Sequence, residues 1–246
     1  MQTIRLIRAL GPLDARSVLR DPLLRWMIIL PLAFALALRG AIPALLAQVM
    51  ARLPFTIDIG PHYLPLMSYA LLLIAPMLAG VVLGFLLLDL RDDGVLEALR
   101  VGPQRLRGYL LYRLALPTLV GLLLTPALFL VAGLPAGGPA GLALAAVGAA
   151  PMAALYALLL GAIAQNKVQG IALMKLSGLL FILPALSRYL PAIWQLPLAL
   201  VPTYWPARLL WALQAGAPEA WLYLIGSLLY PPLICALLLR RMERQS

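Results

Sequence analysis

Four acids fall within thirteen residues in DLRDDGVLEALRV, positions 89 to 101. Wound as a helix at 100° per residue, this segment stacks Asp89, Asp93 and Glu97 at i, i+4 and i+8. It sets Arg100 beside Glu97 and turns Val95, Ala98 and Leu99 to another face. Like charges at that spacing repel by roughly 0.2 to 0.5 kcal/mol per pair. An isolated helix gains nothing from such a stripe; a docking helix that offers acids and a small apolar ridge to a soluble partner does. A solvated turn whose acids stay out of lipid carries the same residues. The docking reading takes Asp89, Asp92, Asp93, Glu97, Leu99 and Arg100 as the contact set. Gly102-Pro103 then stops the helix, and Arg105 and Arg107 follow at the lipid surface.

Other reactive chemistry is scarce. One cysteine, Cys235, and one histidine, His62, cannot form a disulfide, a CxxC redox pair, or a zinc site of three or four nitrogen and sulfur ligands. His62 lies in a predicted external loop without a GxSxG motif, and no span carries paired carboxylates, so a hydrolytic dyad lacks its groups. Lys167 follows Asn166 and Lys175 follows Met174, so neither belongs to the Gly-Lys-Ser/Thr of a P-loop. If ATP powers the protein, another chain supplies the site, and this chain binds no cofactor itself.

The elements that position these residues follow from composition. Of 246 residues 63% are hydrophobic and 11% charged, whereas soluble domains run near a quarter charged. This is a membrane protein. Its net charge of +10 would suit nucleic acid on a polar background, but here membrane topology accounts for it. A spanning helix needs roughly 20 mostly apolar residues, and six such runs stand near 24–48, 64–88, 109–133, 139–164, 168–188 and 220–240. The first is expected to remain as an anchor rather than a cleaved signal, because Asp14 and Asp21 precede it.

Cytoplasmic loops are enriched in Lys and Arg. With both termini inside, 14 of the 19 basic residues lie on the cytoplasmic side and 3 outside. Segment 13–20 winds as an amphipathic surface helix with Arg16 and Arg20 four apart, or is an ordinary basic flank; Asp21-Pro22 then starts the first span. Residues 189–219 hold five prolines around Trp194, Trp205 and Trp211. Prolines forbid one straight span and tryptophan favours the interface, so short outer-leaflet or re-entrant helices are expected there. Gly80 and Gly84 form a GxxxG whose spacing lets helices approach closely, a candidate seam between subunits.

Two basic residues fall within spans. Lys175 lies eight residues beyond Lys167, about 12 Å deep at 1.5 Å per residue. Burial there costs about 2.5 to 3.5 kcal/mol on insertion scales, so Lys175 faces a substrate path, or it snorkels or packs against protein. Arg39 reads as the outer end of the first span, its guanidinium reaching the headgroups. No Asp, Glu or His sits at mid-depth, which weighs against a carrier or channel driven by protons without an ATPase.

Four strings carry a resemblance: Asp21-Pro22-Leu23-Leu24 after Arg20, LLDLRDDGVLEALRVGPQRLRGYLLYR from 87, AQNKVQGIALMK from 164, and PTYWPARLLW from 202. Together they resemble bacterial type-2 ABC exporter permeases, particularly fluoroquinolone-export permeases. The resemblance implies one permease domain over 1–246 with a cytoplasmic interfacial segment 1–23, a coupling loop 89–108 and an external or re-entrant segment 189–219. It further implies a second permease copy or paralogue, two cytoplasmic ATPase subunits that bind ATP and magnesium, residence in the bacterial inner membrane, and no nucleic-acid partner. On this resemblance the 89–101 helix seats in an ATPase groove. Asn166 and Lys175 become candidates for a substrate path between permease halves, carrying a small amphipathic molecule.

Overall fold

Apolar side chains on every face, rather than along one stripe, build the long helices of this chain. In lipid such helices satisfy each backbone group internally. The computed structural model describes residues 22–52, 60–94 and 106–245. Among them run ten helices and no strand: α1 Pro22–Arg39, α2 Ala41–Arg52, α3 Gly60–Asp92, α4 Leu106–Ala132, α5 Gly138–Ala149, α6 Pro151–Ile163, α7 Lys167–Leu186, α8 Ala192–Leu198, α9 Tyr204–Ala215 and α10 Ala220–Gln245.

Five elements are long and apolar enough to cross a membrane: α3, α4, the continuous α5–α6 pair, α7 and α10. A sixth forms if α1 and α2 count as one span, bent by 46°. The chain is an all-α polytopic membrane protein. The predicted first span, 24–48, is therefore not straight. It breaks at Gly40, whose missing side chain leaves the backbone free to turn. Ala150, between α5 and α6, keeps helical dihedrals and donates to the Ala146 carbonyl at 2.9 Å, so Pro151 does not interrupt that span.

Helix α3 sits at the centre. Its 33 residues reach about 50 Å, longer than a hydrocarbon core of about 30 Å. Leu71, Leu72, Leu73, Leu87 and Leu88 are fully buried along it. Gly80 and Gly84 turn toward α6: a Cβ on Gly80 would run into the Ala153 carbonyl and the Tyr156 Cβ, and one on Gly84 would lie 2.8 Å from the Leu160 Cβ. The GxxxG therefore joins two helices of the same chain and is not available as a seam between subunits. On another side α4 crosses α3 where Gly121 meets Pro76; a Cβ there would stand 3.0 Å from the Pro76 Cα.

The structure also alters the helix expected over 89–101. Asp89 to Asp92 complete the last turn of α3, and the Asp93 amide still bonds the Asp89 carbonyl at 2.9 Å. Gly94 then adopts a left-handed φ of 69° and ends the helix. Asp93 consequently lies just past the end of α3. Glu97, Leu99, Arg100 and Arg105 lie outside the described residues, as do Arg16, Arg20 and segment 13–20, where a surface helix or a basic flank was expected. Arg107 falls in the first turn of α4.

Between α7 and α10 the proline-rich segment forms α8 and α9. The 12 residues of α9 are too few to cross a membrane, and the helix buries Tyr204, Leu209, Leu210 and Trp211 against neighbours from α3, α5 and α10.

Candidate functional site

The bundle has two polar ends, one carrying Asp89 and Lys167, the other His62 and Trp211. At the first, the short turn from α6 to α7 is tied to the end of α3. Lys167 Nζ stands 2.7 Å from Asp89 Oδ1. Beside it the Arg91 guanidinium donates from Nη1 to the Ala164 carbonyl at 2.8 Å and from Nη2 to the Gly161 carbonyl at 2.7 Å. Those carbonyls close the C-terminal turn of α6, where the peptide dipoles leave partial negative charge, so a two-pronged cation suits the position.

The same turn holds Asn166 and Gln169. The Asn166 side chain accepts from the Gln169 amide at 2.9 Å, and Gln169 Oε1 accepts from the Gln165 amide at 2.9 Å. This reciprocal cap fixes where α7 starts. Asn166, expected on a substrate path, is thus engaged as the N-cap of α7. Asp92 and Asp93 are exposed beside the Asp89–Lys167 pair. Of the contact set read from sequence, then, the structure places Asp89 in an internal ion pair and leaves Asp92 and Asp93 facing outward.

Helix α7 is the least embedded of the long helices. It meets α3 through Gly170, where a Cβ would lie 2.9 Å from Leu88 Cδ1 and 3.1 Å from Phe85 Cε1, and it buries Ser177, whose hydroxyl donates to the Met174 carbonyl at 2.7 Å. Opposite, Val168, Ile171, Lys175 and Leu176 are exposed.

The far end holds what sequence reasoning missed. His62, at the start of α3, and Tyr189, just beyond α7, share a hydrogen bond of 3.0 Å. Arg188 lies over the Trp211 ring at 5.8 Å, and the Trp211 indole donates to the Pro65 carbonyl at 3.0 Å. Arg208 bonds the Tyr223 hydroxyl at 3.0 Å and stacks on its ring at 5.2 Å. Burial pushes the Tyr204 phenol above its ordinary range, against the opposing charge of Arg208. Trp205 covers Gly226 of α10, where any Cβ would enter the indole. Arg39, expected at the headgroups, donates to the Val131 carbonyl at 3.2 Å and so reaches the end of α4. The signal available in the sequence was the placing of Arg188 and Arg208 among tyrosines and tryptophans.

A model of a protein family described as "Fluoroquinolones export permease protein Rv2686c-like" matches residues 14–239. The chain belongs to this family. It is 32% identical over 244 residues to the fluoroquinolones export permease protein Rv2686c of Mycobacterium tuberculosis strain ATCC 25618 / H37Rv, covering 96% of this chain and 94% of that relative. The same identity and coverage relate it to the fluoroquinolones export permease protein MT2760 of strain CDC 1551 / Oshkosh. No solved structure matches the chain. Membership of a permease family accounts for a polytopic bundle of apolar helices.

Proposed function

We propose that this chain is the membrane-spanning subunit of an ATP-driven exporter that moves a drug-like amphiphile, such as a fluoroquinolone, across the bacterial inner membrane. The observation that carries the reading is family membership over nearly the whole length. The absence of a Gly-Lys-Ser/Thr motif from these 246 residues supports a division of labour in which separate ATPase subunits bind ATP and magnesium. The Asp89 end faces the cytoplasm on this reading, consistent with its share of the Lys and Arg residues.

The loop that follows α3 docks the ATPase. Asp92 and Asp93 project from the last turn of α3, and Glu97, Leu99 and Arg100 continue the contact set. The Asp89–Lys167 and Arg91–Ala164 contacts carry force from that loop to α6 and α7. A second permease copy completes the transporter. ATP closure draws the two loops together and tilts the attached helices, exposing the substrate path first inward and then outward.

The test is co-purification of the partner ATPase with the chain bearing Asp93→Lys and Glu97→Lys. Loss of the ATPase, with the chain still folded in membranes, is the expected outcome. Unchanged association and unchanged transport contradict docking at this loop.

A further inference from the structure

Lys175 is a charged residue that the structure leaves exposed in the middle of an unbroken spanning helix. It stands eight residues from Lys167 and eleven from Leu186 on a 20-residue helix, about 12 Å along the axis from the Asp89 end. At 100° per residue it lies about 140° from Gly170 and about 160° from Ser177, which with Pro184 are the buried positions among the described side chains of α7. Its neighbours on the open face are Val168, Ile171 and Leu176. An ammonium in such apolar surroundings calls for an anion or water.

The charges of the rest of the bundle decide which ligand suits it. The described acids sit at helix ends: Asp89, Asp92 and Asp93 close α3, Glu219 precedes α10 and Glu243 lies in its last turn. None reaches the depth of Lys175, so a cationic centre entering at that level meets no counter-charge, whereas an anionic one meets an ammonium. The apolar side chains flanking Lys175 suit the hydrocarbon or ring body to which such an anion is attached.

Resting on the exporter reading above, we propose that Lys175 is a substrate-recognition residue that holds the carboxylate of an amphiphile against the open face of α7. The site selects carboxylate-bearing molecules over their neutralised analogues. Asn166, committed to the helix cap, takes no part.

The test measures binding of a fluoroquinolone with a free ring carboxylate, and of its methyl ester, to the full chain in nanodiscs of zwitterionic lipid without ATP or ATPase. The acid binds about tenfold more tightly than the ester, the ratio expected from one charge-assisted hydrogen bond in a partly dry site. Lys175→Arg keeps the preference and Lys175→Met brings acid and ester to parity. Equal binding of acid and ester by the unmodified chain overturns the proposal. So does a preference that survives Lys175→Met. A third contrary result is a Lys175→Met variant that loses only its retention of added phosphatidylglycerol, which assigns the ammonium to a lipid phosphate. Acid-selective, Lys175-dependent binding by a chain whose transport ignores ATP supports the site while removing the ATP-driven reading, so the two fail separately.

Discussion

Asp89 and Lys167 meet at 2.7 Å, joining the last turn of the central helix α3 to the first residue of α7. Their side chains are 36% and 54% exposed, so the pair is worth only about 0.2 to 1 kcal/mol as a stabilising contact. Its place matters more than its strength, because it lies where the chain leaves α3 for the loop that follows. On the exporter reading proposed above, such a strut would tie the end of α3 to α7.

Reversing either member alone, as Asp89→Lys or Lys167→Asp, is expected to lower transport several-fold while the thermal midpoint in detergent moves little. The double reversal restores transport. A double-mutant cycle on transport rate and on Tm checks this: equal, additive losses from the two single changes would show that the pair does not act as a unit.

Arg91→Lys keeps the charge and loses the fork that bonds the Gly161 and Ala164 carbonyls. Because the guanidinium is only partly buried, the expected cost is about 1 to 2 kcal/mol. Arg91→Met costs more, since both carbonyls then lose a charged donor. Chemical denaturation of the purified chain in mixed micelles reports the order; identical midpoints for the two variants would rule out the capping role.

Gly80→Ala and Gly84→Ala separate backbone from side-chain crowding. The Cβ at Gly80 meets the Ala153 carbonyl, which cannot move without shifting α6, while the one at Gly84 meets the flexible end and stem of Leu160. Gly80→Ala is expected to destabilise by about 1 to 3 kcal/mol and Gly84→Ala by less. Unfolding midpoints of both variants, with oligomeric state followed alongside, make the comparison. Dissociation of oligomers without loss of subunit stability would return the motif to a role between subunits.

Much of the fold was legible before any coordinates. Apolar runs gave α3, α4, α5–α6, α7 and α10 within a few residues, because lipid enforces length and composition together. The bend at Gly40 was not legible, since a single glycine within an apolar run signals neither a straight helix nor a break. Gly94 was visible inside the acidic segment, yet helical periodicity on both sides of it outweighed the punctuation.

The candidate site divides in the same way. Asp89 was recognised as important for its neighbours in sequence, but its partner Lys167 lies 78 positions away, a distance that no local spacing encodes. Asn166 stood out as a polar residue near a span, and its capping hydrogen bond explains that placement without a substrate. That Lys175 lies on the exposed face of α7 is a property of packing, which local sequence does not encode.

The account stands most directly on uptake of a fluoroquinolone into inside-out vesicles containing this chain with and without its ATPase. It predicts accumulation only when both proteins and hydrolysable ATP are present, and none with a non-hydrolysable nucleotide analogue. Equal accumulation by vesicles holding this chain alone, driven by an imposed ion or drug gradient, would contradict it.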